Sequence, residues 1–345
     1  MGESLAARSD EPGQCAPLRD RTDGGAGRGG RVRRGKEKLD AAARRDMMPT
    51  MTEPLPTPDM PETLGVIAGR GTYPWQLARS AHAQGVRRVV AFAFRRETEW
   101  AIERYADDVV WLRLGSLGAL LDAVREKGIA NIVMAGQIKP TRLFSLRLDA
   151  KALSILRTLK TRNAHTIFGA IGDELNKIGV ELLPASRFME TEMPDAGVLG
   201  RRAPDEREQA DIRLGARAAK VTSGLEIGQT VVVKEGTILA VEGFEGTDQT
   251  ILRAGRLGGP GAVVVKVAKR GHDMRFDIPI IGERTFKSLK KARISCLAVE
   301  ANRTILLARD NLVAEADRQG LAFVAFDAAA AAADASPEPK EPPHD

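Results

Sequence analysis

Leu64-Gly65-Val66-Ile67-Ala68-Gly69-Arg70-Gly71-Thr72-Tyr73-Pro74 decides the fold class. The run Leu64 to Ala68 is apolar or small throughout, the pattern of a strand buried on both faces. Glycines then turn the chain, and Pro74 suits the first turn of a helix, where its missing N–H does no harm. Trp75, Leu77, Ala78 and Ala81 supply the apolar stripe of that helix. Strand, glycine turn and helix together open a Rossmann-like unit. Gly69 and Gly71 are therefore candidate phosphate contacts. Pro74 stands where the dinucleotide fingerprint has its third glycine, so a purely architectural turn is the alternative.

Outward from this unit the β/α alternation continues. Strands are predicted at Arg88–Ala93, Val109–Leu112 and Asn131–Ala135, with a helix over Leu117–Glu126. That rhythm gives a parallel sheet covered by helices. The last strand runs into Gly136-Gln137-Ile138-Lys139-Pro140, at the carboxyl edge where such sheets bind ligands. Lys139 is a candidate anion contact there, an exposed surface lysine being the other reading. Two helices, 149–159 and 166–177, and a short strand at 180–183 complete a first domain over 63–185. Met193-Pro194, Gly197, Gly200 and Ala203-Pro204 mark 186–204 as a hinge. A second α/β domain with a mixed sheet is expected over 205–327. It begins with a helix to about Val221, followed by strands at 230–233 and 237–241 around the turn pair Glu235-Gly236. Helices at 250–256, 283–291 and 311–319 then alternate with strands at 262–267, 278–281, 295–299 and 321–326. Residues 1–62 lack apolar periodicity and read as a disordered leader, with Met47, Met48, Met51 and Met60 as candidate downstream starts. The alanine-rich stretch 328–345 reads as a flexible tail.

Fifty-two Lys and Arg against 46 Asp and Glu leave a net charge of +6, spread diffusely, with aromatics at only 4%. That balance argues against a nucleic-acid partner and for a phosphorylated metabolite or an anionic lipid surface. Cys15 and Cys296 are too few and too far apart for a disulfide framework or a cysteine-rich zinc site, and suit a reducing cytoplasm. No apolar run is long enough to span a membrane, and the first residues lack the apolar core of a secretory signal.

Three polar clusters in the second domain each follow a strand: Glu242, Glu245, Thr247 and Asp248; Lys266 and Lys269; Asp273, Arg275 and Asp277. Carboxylates for a divalent cation beside Lys and Arg for phosphate oxygens are the equipment of phosphoryl chemistry. Mg²⁺ needs only one or two carboxylates and takes its other ligands from water and substrate. Thr247 and Asp248 also stand where helix caps stand, and capping is the competing account of both. His165 has no partner at metal-ligand spacing and reads as a local hydrogen-bonder; His272 reads as a polar contact rather than a base.

These motifs, taken in order, resemble one family: the LpxI-type UDP-2,3-diacylglucosamine pyrophosphatases of lipid A biosynthesis. The resemblance covers 64–327 and rests on four stretches. They are Ile67–Pro74, Ile227-Gly228-Gln229-Thr230-Val231-Val232-Val233, Val241-Glu242 with Glu245-Gly246-Thr247-Asp248, and Lys266 through Arg275-Phe276-Asp277-Ile278-Pro279. Glu226 departs from the Asp that commonly precedes Ile-Gly-Gln, and Arg270-Gly271-His272 from a more usual Pro-x-Gln. The resemblance implies Mg²⁺-dependent hydrolysis of UDP-2,3-diacylglucosamine to UMP and 2,3-diacylglucosamine 1-phosphate. It implies that Asp248 is the essential acid, acting through the metal, with Thr247 beside it, and that water attacks the phosphorus nearer the glucosamine. Asp248 with Glu245 would hold Mg²⁺; Lys266, Lys269 and Arg275 would stabilise charge on the phosphates.

A two-chain lipid substrate implies an apolar cleft, expected between the domains, and a peripheral protein on the anionic cytoplasmic face of the inner membrane. Members of the family resemble dimers, so a homodimer is a further expectation. Two other functions compete. A Rossmann-type nucleotide-sugar or dinucleotide enzyme would need an acidic ribose ligand about 20 residues past the glycine turn, and Arg95-Arg96-Glu97 offers a poor one. A non-catalytic ligand- or nucleic-acid-binding module would depend on the basic leader.

Overall fold

The computed structural model describes residues 60–138, 147–269 and 273–328, and these form two α/β layers. The expectations for the leader before residue 60, for Lys139, for His272 and for the tail after residue 328 lie outside the described residues.

The first layer is a five-stranded parallel sheet in the order β3-β2-β1-β4-β5. Its strands are β1 (Thr63–Ala68), β2 (Arg88–Phe94), β3 (Asp108–Leu112), β4 (Asn131–Ala135) and the short β5 (Glu181–Leu182). The continuous apolar runs are explained by burial on both faces. Leu64, Val66 and Val89 face helix α1 (Tyr73–Ala83), while Val90, Phe92 and Ile132 face α2 (Leu117–Glu126), α3 (Ala150–Thr158) and α4 (Ala164–Lys177). Pro74 does lie in the first turn of α1. Asp149 caps α3 by accepting from Ala152 N and also accepts from Gly118 N, which ties α3 to α2; Asn163 caps α4.

The second layer is a six-stranded mixed sheet in the order β6-β13-β11-β9-β7-β8. Its centre is parallel: β9 (Val263–Lys266), β11 (Cys296–Glu300) and β13 (Ala322–Phe326). Antiparallel strands flank it: β6 (Gly197–Val198), β7 (Thr230–Lys234) and β8 (Thr237–Val241). Alternate residues go to different cores. Val231, Val233, Val263 and Val265 pack beneath α5 (Glu206–Gly224), whereas Val232 and Val264 pack on α6 (Thr247–Gly258), α7 (Glu283–Ala292) and α8 (Arg309–Gln319). All six valines are 0% exposed, and each contributes about 1.5–3 kcal/mol relative to an exposed position. Asp205 and Glu208 close a capping box on α5, and Arg202 grips the buried Glu208 through two hydrogen bonds at 2.9 and 2.8 Å.

The expected hinge is packed rather than loose. Phe188 and Met189 are buried in the core of the first layer, and Phe188 O accepts from Ser80. Further on, Glu192 accepts from Arg309 N, Pro194 O from Asn302 N, and Leu199 N donates to Phe323 O. The segment is therefore bound to both layers along its length. A two-stranded parallel ribbon, β10 (Ile280–Ile281) with β12 (Ile305–Leu306), also reaches across, placing Ile305 and Leu307 in the core of the first layer.

Candidate active site

The site is built where β9 and β11 end, the edge at which open α/β sheets hold ligands. Lys266 is the last residue of β9 and lies opposite Thr230, the first residue of antiparallel β7. The residue is 7% exposed, and its ammonium donates to Thr247 Oγ1 at 2.9 Å. Thr247 in turn donates to Glu242 Oε1 at 3.0 Å, and Glu242 Oε2 accepts from Gln229 N at 3.3 Å. Cation, hydroxyl and carboxylate thus form one line running from β9 to the end of β8.

The helix behind this line starts earlier than periodicity suggests, at Thr247 rather than Thr250. Its N-cap is Gly246 at φ +82°, a conformation that favours glycine, and no side chain caps it. Capping therefore explains neither Thr247 nor Asp248. Asp248 sits in the first turn, where a carboxylate meets the positive end of the helix dipole. Its Oδ2 pairs with Arg284 Nε at 2.6 Å, while Oδ1 is buried and has no hydrogen-bond partner. A buried carboxylate oxygen without a donor costs free energy unless something else meets it.

The other candidates are placed as follows. Glu245 is turned away toward Arg253 at 2.5 Å and Thr250 at 3.3 Å. Burial pushes its carboxyl up, but the hydrogen bond and charge of Arg253 outweigh this and leave it below the usual range. Lys269 is paired with Glu226 at the wall of a cavity of about 220 Å³. Arg275 holds Asp273 in a fork at 2.9 and 2.6 Å, which keeps the Asp273 carboxyl low and the Arg275 guanidinium high. Gly69 is needed for close approach: a Cβ there would lie 2.9 Å from Gln137 O, and the neighbouring Arg70 N donates to that same oxygen. Gly71 has open space around it. Thr247 and Lys266 are brought together, then, while Gly69 and Gly71 belong to the other sheet.

Sequence reasoning missed three participants. Gln229 lines the 220 Å³ cavity and donates to Asp277 Oδ1 at 2.9 Å. His165, from α4, faces the same cavity beside Phe168 and Phe276. Arg284, the partner of Asp248, lies 36 positions away in the chain, so no local spacing could signal it. A second, apolar cavity of about 130 Å³ opens at the carboxyl edge of the first sheet, lined by Ile67, Phe94, Leu114, Met134, Ile155 and Ile171 among others. The apolar cleft expected between the layers thus lies within the first of them, and Phe168 is the wall it shares with the polar cavity. Among the described residues no group of three or more His, Cys, Asp or Glu side chains converges on a metal position.

Comparison with known proteins agrees with this layout. The family model for the LpxI N-terminal domain matches residues 63–191, and that for the LpxI C-terminal domain matches 195–324. The chain is 30% identical over 275 residues to the UDP-2,3-diacylglucosamine pyrophosphatase LpxI of Caulobacter vibrioides, covering 76% of this chain and 97% of that protein. Two solved structures are far more distant. One is a glycinamide-RNase-transformylase T from Mycobacterium tuberculosis (TM-score 0.21, 13% identity, 52% of this chain and 43% of that one). The other is the biotin carboxylase domain of the Hydrogenobacter thermophilus 2-oxoglutarate carboxylase (TM-score 0.21, 13% identity, 56% of this chain and 40% of that one). At such scores neither likeness bears on fold or function. With both of its layers matched by the two family models, this chain belongs to the LpxI family.

Proposed function

We propose that this chain hydrolyses the diphosphate of UDP-2,3-diacylglucosamine to UMP and 2,3-diacylglucosamine 1-phosphate, with Mg²⁺, water attacking the phosphorus nearer the glucosamine. Family membership makes it a hydrolase, and the Caulobacter relative is named for that substrate. The observation that carries the residue-level reading is Asp248: it caps nothing, and one of its oxygens is buried without a donor. Such an oxygen suits a hard cation, and Mg²⁺ asks little more of a protein than one or two carboxylates. Asp248 would be the principal ligand; Glu245 would join only by leaving Arg253. When bound, Mg²⁺ neutralises diphosphate charge and lowers the pKa of a water.

The chain's own residues would do the rest. Lys266, aimed by Thr247 and screened from water, offers a fixed positive charge to phosphate oxygens, worth more there than in solvent. Lys269 and Arg275 are held by Glu226 and Asp273, so they contribute as ion-paired side chains rather than as free cations. Gln229 and Asp277 give the polar cavity an amide and a carboxylate suited to nucleoside hydroxyls. The apolar cavity beyond Phe168 suits acyl chain, so headgroup and chain would lie on either side of one phenyl ring. Such a substrate places the enzyme at the cytoplasmic face of the inner membrane. Consistent with peripheral attachment, no helix of the described residues is long and apolar enough to cross a bilayer.

Purified protein given UDP-2,3-diacylglucosamine and Mg²⁺ in ¹⁸O water should release unlabelled UMP and place the label on the sugar phosphate. Label on UMP would overturn the assigned phosphorus, and turnover untouched by EDTA would overturn the metal dependence. Absence of UMP would remove the substrate.

A further inference from the structure

The carboxyl edge of the first sheet carries arginines that the hydrolytic site does not use. Arg70 follows β1, Arg95 and Arg96 follow β2, Arg113 follows β3, and Arg147 lies against Gly115 just beyond β3. All but the half-buried Arg70 are exposed. Among the described residues none of the five has a carboxylate partner or a side-chain hydrogen bond. Some arginines elsewhere, Arg202, Arg253, Arg275 and Arg284 among them, pair with acids instead. Nearby acids turn inward or are engaged: Glu97 is buried, Asp149 caps α3, and Glu103 accepts from Trp111. Glu99 and Glu103 are the exposed ones among these acids.

Three of these arginines adjoin the wall of the apolar cavity. Arg95 is the chain neighbour of Phe94, Arg113 of Leu114 and Arg147 of Leu148, and all three apolar residues line the 130 Å³ cavity. Trp100, 67% exposed and tilted against Trp111 with ring centroids 4.3 Å apart, begins the short helical turn that follows Arg95 and Arg96. Unpaired cations, an exposed indole and an apolar mouth on one edge complement anionic phosphates lying above hydrocarbon. A polyanion such as single-stranded nucleic acid would use the charges and the indole but leave the apolar mouth without a role.

We propose that the carboxyl edge of the first sheet, with Arg70, Arg95, Arg96, Arg113, Arg147 and Trp100 as its contacts, is the face that docks on an anionic phospholipid bilayer. This deepens the reading of a lipid substrate, because it sets the mouth of the apolar cavity against the membrane. The test is co-sedimentation of the full chain, without substrate, with vesicles of phosphatidylcholine alone and of phosphatidylcholine with phosphatidylglycerol. The parent should bind the anionic vesicles and release them in high salt. Combining Arg95→Gln, Arg96→Gln and Arg113→Gln should weaken that binding about a hundredfold at low salt, from roughly fivefold per charge. Combining Arg87→Gln, Arg125→Gln and Arg201→Gln, which removes equal charge elsewhere, should not.

Quenching of tryptophan fluorescence by brominated lipid, lost in Trp100→Phe, gives a readout with the arginines intact. Equal binding by the two triple variants would overturn the proposal, as would a parent that binds neither vesicle. Retention by a single-stranded oligonucleotide with no vesicle binding would overturn it in favour of a nucleic-acid face. Hydrolysis of substrate in neutral detergent should survive in the Arg95/Arg96/Arg113 variant; loss of that turnover with normal vesicle binding would assign these arginines to substrate instead. Vesicle binding by a parent that fails to release UMP would leave the docking face standing and remove only the hydrolytic reading.

Discussion

Replacing Lys266 by methionine should make the protein more stable and nearly inactive. Lys266 is 7% exposed, and the hydrogen-bond partner of its ammonium is a neutral hydroxyl, Thr247 Oγ1. Burying a cation without a paired carboxylate is costly, and its removal strands no acid, because Glu242 is reached only through Thr247 and is itself partly exposed. Methionine has similar length and keeps the packing between β7 and β11. The gain should be about 1–3 kcal/mol, a few degrees in Tm for a protein of this size. Loss of a preorganised positive charge should lower kcat by about a hundredfold or more. Differential scanning calorimetry beside a UMP-release assay reads both quantities. A Lys266→Met variant that melts several degrees below the parent would show that Lys266 is a net stabiliser, and retained turnover would show that it has no place in catalysis. Either result refutes the reasoning.

Two further outcomes follow from the same geometry. A Cβ on Gly228 would lie 2.2 Å from Glu242 O and 2.7 Å from its carbonyl carbon, both backbone atoms at the end of β8. Gly228→Ala should therefore push Glu242 away from Gln229 and Thr247, costing about 1–3 kcal/mol or more in urea unfolding and most of the activity; normal values for both would refute the contact. The Arg275 fork holds the Asp273 carboxyl below its ordinary value of about 4. A carboxyl lowered in the folded state stabilises it above the unfolded value, and that contribution drains away as pH falls through the folded one. Asp273→Asn should then be less stable than the parent at neutral pH and equal to it in strong acid, a difference that urea titrations across pH would reveal or deny.

The fold was largely legible because its strands announce themselves. Val231-Val232-Val233 and Val263-Val264-Val265 are too apolar and β-branched for anything but strands buried on both faces, and they are such strands. Helix α2 and strand β4 likewise occupy the predicted residues. The start of α6 was misplaced by three residues because Gly246 caps it by conformation rather than by a side chain, which leaves no residue-type signal. The segment expected as a hinge is packed for a related reason. Its Pro and Gly residues punctuate the backbone, but Phe188 and Met189 among them are core residues, and burial won over punctuation. Within the site, short-range neighbours such as Thr247 and Asp248 could be read from one stretch. The line from Lys266 through Thr247 to Glu242 required knowing that β9 ends beside β7, and the pairing of Asp248 with Arg284 required knowing where α7 begins.

One measurement bears most directly on the account: UMP release from UDP-2,3-diacylglucosamine by the parent and by Asp248→Ala, with binding of Mn²⁺ to each followed by electron paramagnetic resonance. Asp248 as the cation's main protein ligand predicts turnover reduced by several orders of magnitude and Mn²⁺ binding lost in the same variant. A variant that still binds the ion and turns over within a few-fold of the parent would contradict it.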